Sequence, residues 1–112
     1  MLFGVLETET FSKLFDSLSK NEKEWIKKII EQLKQNPRVG KPLRFDWFRE
    51  KKYEGKRLYY LIYQNLSKVL LVSFGSKKEQ KKIIAHILAN LNDYKKIVEE
   101  AFKEANRLER LL

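Results

Sequence analysis

The side chains of this 112-residue chain that can do chemistry are chiefly lysine, arginine and tyrosine, and they crowd into its middle. Residues 38–57 hold Arg38, Lys41, Arg44, Arg49, Lys51, Lys52, Lys56 and Arg57 against Asp46, Glu50 and Glu54, a local excess of +5. Residues 58–82 add Lys68, Lys77, Lys78, Lys81 and Lys82 against Glu79, a further +4, so the whole formal charge of +9 lies there. Seven of the fourteen aromatic residues share this stretch: Phe45, Trp47, Phe48, Tyr53, Tyr59, Tyr60 and Tyr63. Local positive charge attracts polyanions, because each neutralised phosphate releases condensed counterions. Rings set between cations suit unpaired RNA, whose bases stack on aromatic faces. Lys52, Lys56, Lys78, Lys81, Tyr59 and Tyr63 are the RNA-binding candidates on this pattern. The plainer alternative is a solvated charged face over an aromatic-rich sheet core. The same residue types can cut RNA without a metal: a base takes the 2′-OH proton, cations stabilise the pentavalent phosphate, and an acid protonates the leaving 5′-oxygen. A lysine acts as such a base when burial or neighbouring cations depress its pKa, and Lys51 and Lys52 are adjacent cations.

Other chemistries are excluded by the inventory. Without cysteine there is no disulfide, thiolate metal site or thiol nucleophile. His86 is the only histidine, so a multi-histidine metal site is out of reach, and its place between Ile84 and Ile87 on a helical pattern suits packing. Gly4, Gly40, Gly55 and Gly75 are too scattered for a phosphate-cradling loop. Asp46 and Glu50 lie inside the basic stretch and are expected to pair with its cations. The start, Met1 to Glu7, lacks a basic region and meets a carboxylate early, and the longest aliphatic run, Val69 to Val72, is far too short for a bilayer. A cytoplasmic single domain spanning 1–112, with no membrane contact, is the expectation.

The elements that must position these residues follow from periodicity. Leu2 to Thr8 reads as a short strand. Phe11, Leu14, Phe15 and Leu18 follow helical spacing behind Thr10, a candidate N-cap. Ser19 and Glu22 form a capping box before the stripe Trp25, Ile26, Ile29, Ile30 and Leu33, and Asn36-Pro37 ends that helix. Phe48–Tyr53, Arg57–Gln64 and Lys68–Phe74 read as an antiparallel meander with turns at 54–56 and 65–67. Alternation on the middle strand puts Leu58, Tyr60 and Ile62 toward the helical hairpin, with Arg57, Tyr59 and Tyr63 toward an open surface. Gly75 is expected to end the sheet. Ser76 and Glu79 form a second box before Ile83, Ile84, Ile87, Leu88 and Leu91, and Asn92-Asp93 caps a last helix carrying Tyr94, Ile97, Val98, Ala101, Phe102, Ala105 and Leu108. The class is α+β: an N-terminal strand and helical hairpin on an antiparallel meander, then C-terminal helices.

The hairpin ending at Asn36-Pro37, the loop Gly40-Lys41-Pro42-Leu43, Arg49-Glu50, the run from Gly55 to Tyr60 and the tail from Val69 to Lys78 together resemble the RelE/ParE superfamily of toxins. The resemblance spans roughly residues 3–90. It implies a RelE-like fold, no cofactor, and the toxin role in a type II toxin–antitoxin system. It also implies a cognate antitoxin as partner, in assemblies that can reach a heterotetramer. RelE-type members cleave mRNA on the ribosome, which would make this chain an endoribonuclease with ribosome and mRNA as partners; ParE-type members inhibit gyrase. A relative that binds RNA or antitoxin without cutting is a third reading. Carried over by position, Arg57 matches the arginine after the glycine turn, Arg49, Lys51 and Lys52 lie on the strand that carries such toxins' lysines, and Lys77 stands where a distal arginine is found. Lys51, sharing parity with Arg49, is expected on the active face. The pattern breaks at Ile83, where some members carry a tyrosine, and a lysine at 77 lacks an arginine's bidentate grip.

Overall fold

Local capping starts the first two helices and the 3₁₀ turn that precedes the third. Thr8, itself buried, caps the first one (α1, Glu9–Asp16), its Oγ1 accepting from the Phe11 amide at 3.0 Å. Thr8 takes the place expected of Thr10. Ser19 and Glu22 close the expected reciprocal box at 3.2 and 3.0 Å and open α2 (Lys20–Gln35). Pro37 follows the end of α2, where a helix would need the amide that proline lacks. Ser76 and Glu79 bond reciprocally before a single 3₁₀ turn at Lys77–Glu79, which leads into α3 (Gln80–Ala89). The last helix, α4 (Leu91–Leu111), begins ahead of Asn92-Asp93, so those residues lie inside it instead of capping it.

In this computed structural model, which describes residues 2–111, the strands are β1 (Gly4–Glu7), β2 (Lys41–Pro42), β3 (Phe48–Tyr53), β4 (Lys56–Tyr63) and β5 (Lys68–Ser76). Met1, where the leader reading begins, lies outside the described residues. The sheet order is β1-β5-β4-β3-β2. The meander β3-β4-β5 is antiparallel as expected, while β1 joins β5 in parallel and makes the sheet mixed. Gly75 does not end β5, which runs one residue further. At the two-residue turn between β3 and β4 it is Glu54, not Gly55, that carries the left-handed φ of 53°.

Both faces of the sheet are covered. On one side Ile26, Ile29 and Leu33 of α2 and Phe11 of α1 pack on Leu58, Tyr60, Ile62, Val69, Leu71 and Phe74. On the other, Ile87 of α3 and Val98 of α4 pack on Phe48, Tyr59, Leu61, Leu70 and Val72. The expectation of an open surface around Tyr59 is therefore corrected. The apolar stripes of α3 and α4 need a partner, and the near-continuous apolar run of β4 supplies its second face to them. A register shift between Tyr59 and Tyr60 on β4 lets Phe74 and Leu71 of β5 face the same core despite their odd spacing.

Candidate functional site

Pairing across β3 and β4 decides which cations share a side. Lys52 stands opposite Arg57 and Glu50 opposite Tyr59, so these four side chains leave the sheet on the α3 side. Lys51 stands opposite Leu58 and Arg49 opposite Tyr60, which face the hairpin core. The expectation that Lys51 shares the active face with Arg57 is thus corrected: Lys52 does.

Arg57 is only 6% exposed. Its Nε lies 3.6 Å from Glu50 Oε2, and that same oxygen accepts a 2.7 Å hydrogen bond from Gln80 Nε2 at the start of α3. Arg57 Nε and the Tyr59 hydroxyl are buried without hydrogen-bond partners. Burial pushes the Tyr59 phenol above its ordinary pKa, and the nearby Glu50 carboxylate adds to the rise. The result is a small polar cluster of Glu50, Arg57, Tyr59 and Gln80 under the first turn of α3. Arg57 does not project freely from the sheet, as its position after a tight turn suggested, because α3 closes over it.

On the strand and helix start that carry this cluster, Lys52, Lys77, Lys78, Lys81 and Lys82 are exposed. The β3–β4 turn and the 3₁₀ turn are joined directly, the Lys77 amide donating to Gly55 O at 3.1 Å. Lys56 is occupied otherwise, paired with Glu22 of α2 and set 5.5 Å over the Phe74 ring. It ties the hairpin to the sheet. Tyr63 sits at the far end of β4, partly buried, its phenol pushed up to about 12 by burial, with Tyr94 and Glu99 adding to the shift. Tyr59 is fully buried in the core and offers no ring face to a base.

Arg49 is buried and fully engaged within the chain. Its guanidinium donates to Gly40 O at 2.7 Å, Arg38 O at 3.2 Å, Asp46 O at 2.8 Å and Asp46 Oδ1 at 2.6 Å. Five donors in a rigid fork can gather a loop in this way. Its place is structural, and the catalytic assignment by position does not fit it. Asp46 also accepts from Arg38 Nε at 2.9 Å. The hydrogen bonds from Arg38, then from Arg49, hold the Asp46 carboxyl below its ordinary 3.8. A depressed folded pKa stabilises above the unfolded value and is lost as pH falls through the folded one. Thermal melts between about pH 4 and pH 2 should therefore fall more steeply for the wild type than for Asp46→Asn, which starts lower at neutral pH. Parallel profiles would remove Asp46 from the acid response.

Among the described residues no group of three or more histidine, cysteine, aspartate or glutamate side chains could hold a metal ion, and no helix is long and apolar enough to cross a membrane. Glu50 and Asp46 pair with the cations of the basic stretch as expected. Gln80 escaped the sequence reading, since nothing local marks a glutamine at a helix start as the partner of a strand thirty residues away.

A mixed five-stranded sheet with a helical hairpin on one face and two C-terminal helices on the other defines a small α+β protein with its positive charge in the sheet and its connections. That is the fold of the RelE toxins. The free E. coli RelE toxin, as an arginine double mutant, superposes with a TM-score of 0.69 at 19% identity over 80% of this chain and 98% of that one. A chain of the intact E. coli RelBE toxin–antitoxin complex gives 0.60 at 22% identity, covering 66% of this chain and 95% of that one. The RelBE complex from Mycobacterium tuberculosis gives 0.60 at 22%, covering 69% and 100%. None of these three is a ParE protein. No protein-family model and no curated protein matches the sequence.

Proposed function

We propose that this chain is the toxin of a type II toxin–antitoxin pair and that it cleaves mRNA on the ribosome without a metal. The fold shared with RelE toxins carries this reading, and the basic end of the sheet supports it. In the proposed reaction a base takes the proton of the attacking 2′-oxygen, exposed Lys52 meets the developing charge on the phosphorane, buried Arg57 adds its positive charge from beneath α3, and an acid protonates the leaving 5′-oxygen. Lys77 and Lys78, exposed beside the β3–β4 turn, hold flanking phosphates. A cognate antitoxin, and ribosome and mRNA, are the partners of this reading. Acidic residues on the antitoxin would silence the excess of positive charge, giving fast, salt-sensitive docking.

One observation favours a second reading, a relative that binds RNA or antitoxin but does not cut. Arg57 is already neutralised by Glu50 inside the fold. Induction in a test cell, with primer extension on translated mRNAs, separates the two. Breaks within reading frames support cleavage; growth arrest without them, or with DNA damage, overturns it. On programmed ribosomes Lys52→Ala should slow cleavage by about a hundredfold, as for loss of one preorganised donor, while Lys51→Ala stays within about threefold, since it lies on the other face. Equal effects of the two would remove the α3 side of the sheet from the chemistry.

A further inference from the structure

Phe45 and Trp47 form a stacked pair on the surface, their ring centroids 4.6 Å apart and their planes within 5° of parallel. They are 44% and 36% exposed, so neither ring is spent on a core. We propose that this pair is a stacking platform for an unpaired RNA base, a binding site distinct from the Arg57 cluster. It goes beyond the cleavage reading, because it concerns affinity for RNA and not the breaking of a bond.

Three features carry it. The first is shape: a parallel pair in solvent presents a flat aromatic face, and a base can extend the stack whatever its sequence. The second is rigidity. The Phe48 amide donates to Phe45 O at 3.1 Å, the Ile62 amide to Trp47 O at 2.8 Å, and Asp46, between them in sequence, is clamped by Arg38 and Arg49 at 2.8 and 2.6 Å. The rings are thus held ready, and little ordering remains to oppose binding. This gives the buried guanidinium of Arg49 a purpose, as the positioning residue of the platform.

The third feature is charge. Residues 38–57 carry an excess of +5, and Asp46, the carboxylate between the two aromatic residues in sequence, is shared by two guanidiniums. Beside Trp47 lies a cavity of about 490 Å³ whose lining includes Arg38, Gln64, Asn65 and Lys95, with Asp46 and Glu99 as its acids. That size falls within the roughly 300–1,000 Å³ of small-molecule sites. Arg38 is held there by Asp46 and by Gln64 Oε1 at 3.2 Å, so a nucleotide stacked on Trp47 meets the Asn65 amide at its base edge and Lys95 at its phosphate.

The test uses the full chain with Trp25 replaced by Phe, so that tryptophan emission reports Trp47 alone. Trp25 packs on Tyr53 and Phe74, at 4.9 and 6.3 Å between ring centroids, and phenylalanine keeps an aromatic ring there. A short unstructured RNA oligonucleotide should quench that emission, and a duplex of the same sequence should not. In the wild-type background, Phe45→Ala and Trp47→Ala should each weaken the oligonucleotide's affinity by roughly 5- to 150-fold, the range for one stacked base. Trp47→Phe should restore most of it. The loss should persist at high salt, where the phosphate contribution fades. Circular dichroism checks folding, and should Trp47→Ala unfold, the emission readout and Phe45→Ala still decide. The proposal is overturned by unquenched emission at saturating RNA, by absence of RNA binding, by equal quenching with duplex, or by alanine variants that bind RNA as wild type does. The last outcome would give the rings to a protein contact instead.

Discussion

Arg57→Ala should lower stability by about 3 kcal/mol, because it strands a carboxylate that is 5% exposed beneath α3. The pair is not generous in geometry, at 3.6 Å, and Gln80 still holds one Glu50 oxygen, so the loss falls at the low end for a broken buried ion pair. The consequence for function is direct. Loss of toxicity in Arg57→Ala cannot by itself be read as loss of catalysis, since part of the protein unfolds. The double variant Glu50→Gln/Arg57→Gln removes both charges and should recover more than half of the lost stability, a coupling that a double-mutant cycle in urea measures. If that double variant folds and fails to cut mRNA while Glu50→Gln alone still cuts, Arg57 acts in the chemistry. An Arg57→Ala variant within about 0.5 kcal/mol of wild type would refute the buried pair, since that is the ordinary range of surface substitutions.

Gly40→Ala should destabilise by a comparable amount, about 3 kcal/mol, the upper end of ordinary overpacking. A Cβ there would lie 2.5 Å from Glu50 O and 2.7 Å from the Tyr60 hydroxyl. The first of these is strand backbone and cannot step aside. The second is fixed, donating to Pro37 O at 2.7 Å while accepting from the Gly40 amide at 2.9 Å. The same carbonyl region anchors Arg49, so the clash should also loosen the Phe45–Trp47 loop and raise the exposure of Trp47. Gly55→Ala is the control: nothing lies within 4 Å of its Cβ position and its φ is not left-handed. It should be neutral or stabilise by up to about 1 kcal/mol through the unfolded chain. Urea unfolding of the two variants side by side decides the matter, and equal stabilities would mean that the loop yields and the close approach is not a constraint.

Much of the scaffold is legible one residue at a time. Ser19 with Glu22, Ser76 with Glu79, Pro37 after α2, and the stripe Ile26-Ile29-Leu33 are short-range features whose chemistry acts within a turn or two. The bounds of β3 followed from the aromatic residues at its two ends, Phe48 and Tyr53, and the turn residues beyond Tyr53. Even the pairing of Asp46 and Glu50 with nearby cations follows from composition, because carboxylates set among arginines find them. The positive middle of the chain is likewise a property of the sequence alone.

What the cations face is a different matter, and there the chain's own order is a poor guide. Alternation assigns residues to two sides of a strand but does not say what covers each side. Helices α3 and α4 fold back over Tyr59, and the start of α3 reaches over Arg57 through Gln80 and Glu50, because their apolar stripes have nowhere else to go, and this turns an expected open surface into a second core. Parity between strands depends on register, and the observed pairing puts Lys52, not Lys51, beside Arg57. Arg49 is read as a phosphate ligand in one dimension. In three it meets, besides the neighbouring Asp46, the carbonyls of Arg38 and Gly40, which the closure of β2 onto β3 brings to it. Sequence by itself determines charge, periodicity and caps, since these are local. Burial, partnership and the stacked pair of rings are decided by tertiary structure, since each depends on which distant segment arrives to share the space.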